Sequence, residues 1–284
     1  MNTKVMRLKA RIKALAQEEG LPAQVVLQNF MFERFFARLS KSAVRENLIL
    51  KGGTLISQYL GLSRRATMDI DVTLHHAPLS EQSIYTRIQE VFSVNLGDDI
   101  SWELNSLSPI RDNDQYGGFR AKITASFGSL IVPFAIDIST GDAITPAAED
   151  YFFKSIFVKN ESYRLKAYTI ETVIAEKIDA ILSFGTLSTR PRDYYDACML
   201  TQVVNYSSKR LRSALRATAH HRGSTAIHQE WAHILQEVKQ SDIMQSRWDK
   251  YQHQYAFARN ISFRQICEHL FDLLTELNKS GKAM

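Results

Sequence analysis

Apolar residues three and four apart, Val5, Leu8, Ile12 and Leu15, predict a helix over residues 4–19, closed by the Gly20-Leu21-Pro22 break. A second helix is predicted from Ala23 to Leu39. Val26, Leu27, Phe30, Met31, Phe35, Phe36 and Leu39 make it apolar enough to require a core to lie against. The period then changes. NLILKGGTL reads as a short strand entering a double glycine, and TLISQYLGL resumes helical spacing. MDIDVTL alternates carboxylates with apolar residues at the period of two that marks a strand, so Met68, Ile70 and Val72 are expected to face the core. A helix over 80–96 follows, then strands over 100–107, 119–126 and in SLIVPFAIDIST, where Pro133 predicts an edge position or a bulge.

After TGDAITPAAED, a connection rich in Pro, Ala and acid, the character shifts. Short strand-like material around 155–168 leads into TIETVIAEKIDAILSFG, a strongly periodic helix with Thr169 as its predicted N-cap and Gly185 as its stop. RPRDYYDACMLTQVV opens another helix, and 208–221, 227–240 and 261–278 follow. The expected class is α+β: a domain over 1–150 of mixed sheet and helices, and a mostly helical domain over 151–284, joined near 145–165.

A hydrophobic content of 45% is enough to build such cores without staples. The two cysteines, Cys198 and Cys267, stand far apart in apolar contexts, which indicates buried thiols and neither a disulfide framework nor a zinc knuckle. No apolar run approaches the ~20 residues of a membrane span, so a soluble cytoplasmic protein with no membrane partner is expected. Charge is uneven: residues 1–150 carry −1 and residues 151–284 carry +6 of the net +5. The densest basic stretch, YSSKRLRSALRATAHHRG, holds Lys209, Arg210, Arg212, Arg216 and Arg222 and no acid. It reads either as a solvated helix face or as a phosphate-backbone footprint.

On a strand, Asp69 and Asp71 project side by side. Two carboxylates this close repel unless a cation, protons or water intervene, and such oxygen ligands suit Mg²⁺ or Mn²⁺. A solvated acidic strand is the plainer reading of the pair taken alone. Its neighbours favour the metal. KGGT at 51–54 allows backbone N–H groups to approach an anion at a helix N-terminus. Asp137 alternates with Ile136 and Ile138, and it completes a triad if its strand pairs with that of Asp69 and Asp71. A phosphate cradle beside three acids describes a two-metal nucleotidyl-transfer site.

LKGGTLISQYLGLSRRATMDIDVTL, IDISTGDAITP, ETVIAEKIDAIL and RPRDYYDACML together resemble the AbiEii/AbiGii family of nucleotidyltransferase-like toxins, within the DNA polymerase β-like superfamily, over residues 5 to 205. The resemblance implies a cytoplasmic toxin of an abortive-infection or toxin–antitoxin system, paired with a cognate antitoxin and using an NTP and Mg²⁺ to modify a target, in some relatives the acceptor end of tRNA. It implies nucleotide-binding roles for Gly52, Gly53, Thr54, Arg65 and Lys177, with Thr67 filling the position between Arg65 and the acids. It implies metal ligation by Asp69 and Asp71, and the alternation of its own strand adds Asp137 if the strands pair. It assigns catalytic roles to Asp69, Asp71, Lys177 and Asp193. Asp193 would serve as base or orienting acid, and Asp196 could instead pair with an arginine. Lys209, Arg210, Arg212 and Arg216 are the candidate RNA contacts. Transfer to a protein or small molecule, and a silent interaction module or antitoxin that keeps the fold, remain the alternatives.

Overall fold

The computed structural model describes residues 3–110, 117–141 and 143–279, which form two compact units. The first takes the chain up to 141 and again from Ala148 to Tyr168, and the second takes Ala143–Ala147 and the chain from Thr169 onward. Asp142, within one of the quoted motifs, lies outside the described residues.

The first unit runs α1 (Thr3–Glu19), α2 (Ala23–Leu39), β1 (Leu48–Lys51), α3 (Gly52–Leu60), β2 (Asp69–Leu74), α4 (Glu81–Ser93), β3 (Ser101–Ile110), β4 (Gly118–Phe127), β5 (Leu130–Ser139), β6 (Glu149–Lys154) and β7 (Ser162–Ala167). Among the described residues its seven strands form one mixed sheet in the order β3-β4-β5-β2-β1-β7-β6. The β2–β5 and β1–β7 pairs are parallel and the other pairs antiparallel. The expected boundary at 150 therefore falls inside the sheet. The strand-like stretch at 155–168 is no prelude to the helical domain: β7 pairs with β1, and β6 pairs with β7.

Helix α2 supplies the core as its composition requires. Met31, Phe32, Phe35, Phe36 and Leu39 are fully buried. Phe32 meets Phe134 of β5 edge-on at 5.1 Å, and Phe36 lies 4.7 Å from Phe153 of β6. Ile70 and Val72 are buried as expected, but Met68 is 47% exposed. Strand β2 starts only at Asp69, so Met68 stands outside its alternation. Pro133 lies on a central strand rather than an edge. It is tolerated because the pairing of β5 with β2 begins only at Ala135, two residues further on, so its missing N–H costs no bond there.

The second unit comprises α5 (Ile170–Phe184), α6 (Pro191–Val203), α7 (Ser208–His221), α8 (Thr225–Gln229), α9 (Trp231–Gln240), α10 (Asp242–Gln254) and α11 (Phe263–Lys279). Thr169 caps α5 by accepting the N–H of Thr172 at 3.3 Å, and Gly185 ends it at φ +47°. The predicted helix over 227–240 is two helices that divide at Glu230. Cys198 and Cys267 are both unpaired and buried, and burial pushes each thiol up to about 12. The protein is thus α+β, with a mixed sheet followed by helices. Among the described residues no helix is long and apolar enough to cross a membrane.

Candidate active site

Strand register assembles the acidic face. β2 and β5 run parallel with Asp71 opposite Asp137, and β1 runs antiparallel to β2 with Lys51 opposite Asp71. Residues directly opposite one another share a sheet face, so this row brings together a cation and two carboxylates from three strands, with Asp69 two residues along. Asp69 and Asp71 are half-buried. Burial raises the Asp71 carboxyl above its ordinary range, and the charges of Asp69 and Asp137 push it further the same way.

The glycine turn reaches an anion, but that anion is Asp71. Gly53 donates its N–H to Asp71 Oδ2 at 3.1 Å. Gly52 has φ +59°, and a Cβ there would lie 2.1 Å from the same oxygen. At Gly53 a Cβ would lie 2.8 Å from Thr67 Oγ1 and 3.3 Å from a guanidinium nitrogen of Arg65. Both glycines are therefore required by close approach of the acidic segment to the head of α3. The expected phosphate cradle is, in this arrangement, a carboxylate cradle.

The other residues of these motifs stand behind the acids. Thr54, expected at the nucleotide, is buried and donates to the backbone oxygen of Asp69 at 2.9 Å, which ties α3 to the start of β2. Arg65, also expected at the nucleotide, is 2% exposed and bonds the Ala66 carbonyl at 2.8 Å, so it braces the turn from within. Thr67 donates to Asp69 Oδ1 at 3.0 Å and orients that carboxylate.

Several polar residues on the site went unread in the sequence. On the apolar helix α2, buried Gln28 donates to the Met68 carbonyl and Asn29 donates to the Thr67 carbonyl at 3.2 Å. They hold the backbone that enters β2. Lys51 Nζ donates to Ser139 Oγ at 2.6 Å and lies 5.7 Å from the Tyr168 ring centroid, while the Tyr168 and Thr73 hydroxyls are 2.7 Å apart. The sequence offered one signal for Gln28 and Asn29, adjacent amides set among the large apolar residues of α2.

Asp137 is where the triad expectation fails. Arg120 of β4 holds both its oxygens at 2.7 Å, and these bonds push the guanidinium further up. Among the described residues no group of three or more His, Cys, Asp or Glu is arranged to hold a metal ion. The strands pair as required, but the third carboxylate is spent on arginine. Asp69 and Asp71 do suit a hard divalent cation, because burial and mutual repulsion leave Asp71 in need of positive charge.

In the second unit, Lys177 of α5 reaches Asp193 Oδ1 at 2.6 Å and Asp196 Oδ2 at 3.1 Å. Arg190 closes on Asp193 from the surface at 3.0 Å. Asp196 thus pairs with this lysine. Asp193 and Asp196 lie three apart at the start of α6 and so share a face. The cluster is nearly sealed, with Lys177 12% exposed, Asp193 3% and Asp196 0%.

Helix α7 carries the basic segment. Lys209, Arg212 and Arg216 fall on one stripe at spacings of three and four, and none has an ion pair or hydrogen bond among the described residues. Arg210 turns to Glu171 at 3.6 Å. Arg222 is bound to Glu176 at 2.9 Å and Asp179 at 3.0 Å, which removes it from the candidate footprint.

A family model for the nucleotidyl transferase AbiEii toxin of type IV toxin–antitoxin systems matches residues 34–269. Among solved structures the chain is similar to JHP933 from Helicobacter pylori, at 16% identity and TM-score 0.53 over 92% of this chain and 95% of that one. A second H. pylori structure, of a protein proposed to be a nucleotidyltransferase, matches at 15% identity and TM-score 0.52 over 92% of this chain and 98% of that one. At such identities the likeness is one of fold. No curated protein matches the chain in sequence.

Proposed function

The chain belongs to the AbiEii family of nucleotidyl transferase toxins, whose type IV toxin–antitoxin systems supply an antitoxin partner, and from that premise we propose that it transfers a nucleotide from an NTP to an RNA acceptor, a tRNA. Asp69 and Asp71 would hold Mg²⁺ or Mn²⁺, with substrate phosphates taking the positions that Asp137 leaves open. A bound ion of this kind activates the attacking hydroxyl and neutralises charge on the leaving pyrophosphate.

The observation that supports this reading most directly is the fixed carboxylate pair. Asp69 is oriented by the Thr67 hydroxyl and Asp71 by the Gly53 N–H. Half-buried carboxylates set in place by separate donors are an arrangement for binding a cation, and one that a solvated acidic strand has no need of. Lys51 adds a fixed positive charge beside Asp71 on the same face. Lys177 would supply a compact cation for phosphate once a phosphate draws it from Asp193 and Asp196, and Asp193, so released, would act as base or orienting acid. Lys209, Arg212 and Arg216 give the acceptor a salt-sensitive surface. The protein acts in the cytoplasm.

Incubation with each labelled NTP, Mg²⁺ and total tRNA is expected to place label on RNA. Asp69→Ala and Lys177→Ala are each expected to abolish transfer and growth arrest together. Label on protein alone would move the activity to a protein acceptor, and arrest that survives both substitutions would make the chain a silent interaction module.

A further inference from the structure

A cavity of about 430 Å³ in the helical unit is lined by residues 189–192 at the head of α6 and by residues of α10 with Tyr255 beyond its end. Four of its lining residues are cations, Arg190, Arg192, Arg247 and Lys250, and none is an acid. We propose that this cavity is a phosphate-binding subsite that takes the backbone of a single-stranded polynucleotide, an assignment that rests on the RNA acceptor proposed above.

The charges are held open to a ligand rather than cancelled. Arg247 is fixed by two backbone carbonyls, Thr186 at 3.0 Å and Ser188 at 2.6 Å, so its position is set without loss of charge. Arg192 meets only the Tyr255 hydroxyl, at 3.4 Å, and has no ion pair among the described residues. Lys250 is exposed and has neither an ion pair nor a hydrogen bond among them. Among the described residues, Arg190 alone of the four pairs with a carboxylate, Asp193. The head of the 13-residue helix α6 adds partial positive charge of the same sign. The other three cations, Arg192, Arg247 and Lys250, gathered in a concave site without ion pairs of their own among the described residues, repel one another and are compensated by a bound anion.

An aromatic shelf favours a polynucleotide over an isolated phosphate. The Tyr251 and Tyr255 rings are 4.7 Å apart, and Tyr255 stacks on Phe257 at 5.3 Å and 26°. Half-buried Tyr255 stands beside the arginine forks, a pairing of stacking surface with backbone charge that suits unpaired bases. The cavity volume lies within the ~300–1,000 Å³ of small-ligand pockets, enough for a nucleotide unit. Phosphate also comes from the NTP, so the two sources must be separated by experiment.

The test is equilibrium binding of a fluorescein-labelled single-stranded RNA with a free 3′ hydroxyl to the full chain, alongside binding of a labelled NTP. Lys250→Glu, with Lys159→Glu on an exposed site of the first unit as the matched charge change, is expected to weaken RNA binding roughly tenfold more than its control. Arg192→Ala is expected to lower the slope of log K against log salt by about 0.7, one single-strand phosphate contact. NTP affinity is expected to stay within about twofold in both variants. Equal losses for Lys250→Glu and Lys159→Glu, or a loss confined to the NTP, would overturn the assignment. Binding is read without catalysis. A failure to label tRNA therefore counts against the proposed transfer, while unchanged RNA affinity in these variants counts against this subsite.

Discussion

Replacing Gly52 by alanine imposes two separable costs. The first is local: at φ +59° an L side chain occupies left-handed backbone, at about 1–2 kcal/mol. The second is tertiary. The new Cβ would lie 2.1 Å from Asp71 Oδ2 and 2.6 Å from its Cβ and Cγ, so the carboxylate must swing away and give up the Gly53 N–H. A hydrogen bond to a charged group is worth about 1.5–3 kcal/mol, which brings the total to roughly 2.5–5 kcal/mol. In an Asp71→Gly background the three atoms nearest the new Cβ are gone, and the backbone strain remains. The double-mutant cycle should therefore give a coupling of about 1.5–3 kcal/mol. Urea titration with pulsed hydrogen exchange, read on peptides from β1 and β2, confines the measurement to the first unit. Transfer activity should fall with the displaced acid. If Gly52→Ala costs the same in both backgrounds, the close approach of Asp71 is not what requires this glycine.

Substitutions at two further positions test parts of the first unit. Burial alone would raise Asp98, but hydrogen bonds and charge from Arg38 and Arg34 outweigh it and hold the carboxyl below 3.8. Its contribution is present above that pH and lost as pH falls through the lower folded value. Asp98→Asn should then cost roughly 3 kcal/mol at neutral pH, with the gap to wild type closing below about pH 4 in pH-resolved urea melts. Thr54→Ser should keep both stability and transfer, because the hydroxyl to the Asp69 carbonyl survives. Thr54→Val should lose about 1–2 kcal/mol by the same melts. Loss of NTP affinity in a fully stable Thr54→Val protein would return Thr54 to the nucleotide.

What the sequence revealed was what repeats along the chain or sits within one turn of itself. Helix α2 was legible at both ends because its large apolar residues recur at helical spacing from Val26 to Leu39, and α5 because Thr169 and Gly185 punctuate it. Asp69 and Asp71 were legible through their spacing. The rest depends on register between distant strands. Nothing near Asp137 in sequence announces Arg120, which reaches it from β4, or Lys51, which shares its row from β1. Helix α10 escaped explicit assignment because only Met244, Trp248 and Tyr251 of its residues are buried, too sparse a stripe to mark a period. The boundary was misplaced for a physical reason. The Pro- and acid-rich connection marks where the chain visits the helical unit at Ala143–Ala147, yet it then returns to the sheet for two more strands.

That return bears on how the first unit could be handled apart from the rest. A fragment ending at 150 would strip β7 from β1 and leave the backbone of Leu48–Lys51 open along one side, beside the acidic row. An unpaired buried strand is a template for association, so such a fragment should self-associate rather than behave as a small enzyme. A fragment carried through Tyr168 closes that side with β7 and β6, and its outer margin is then a strand whose Phe152 is already 58% exposed. The separable piece is therefore set by hydrogen-bonded edges and not by the change in composition.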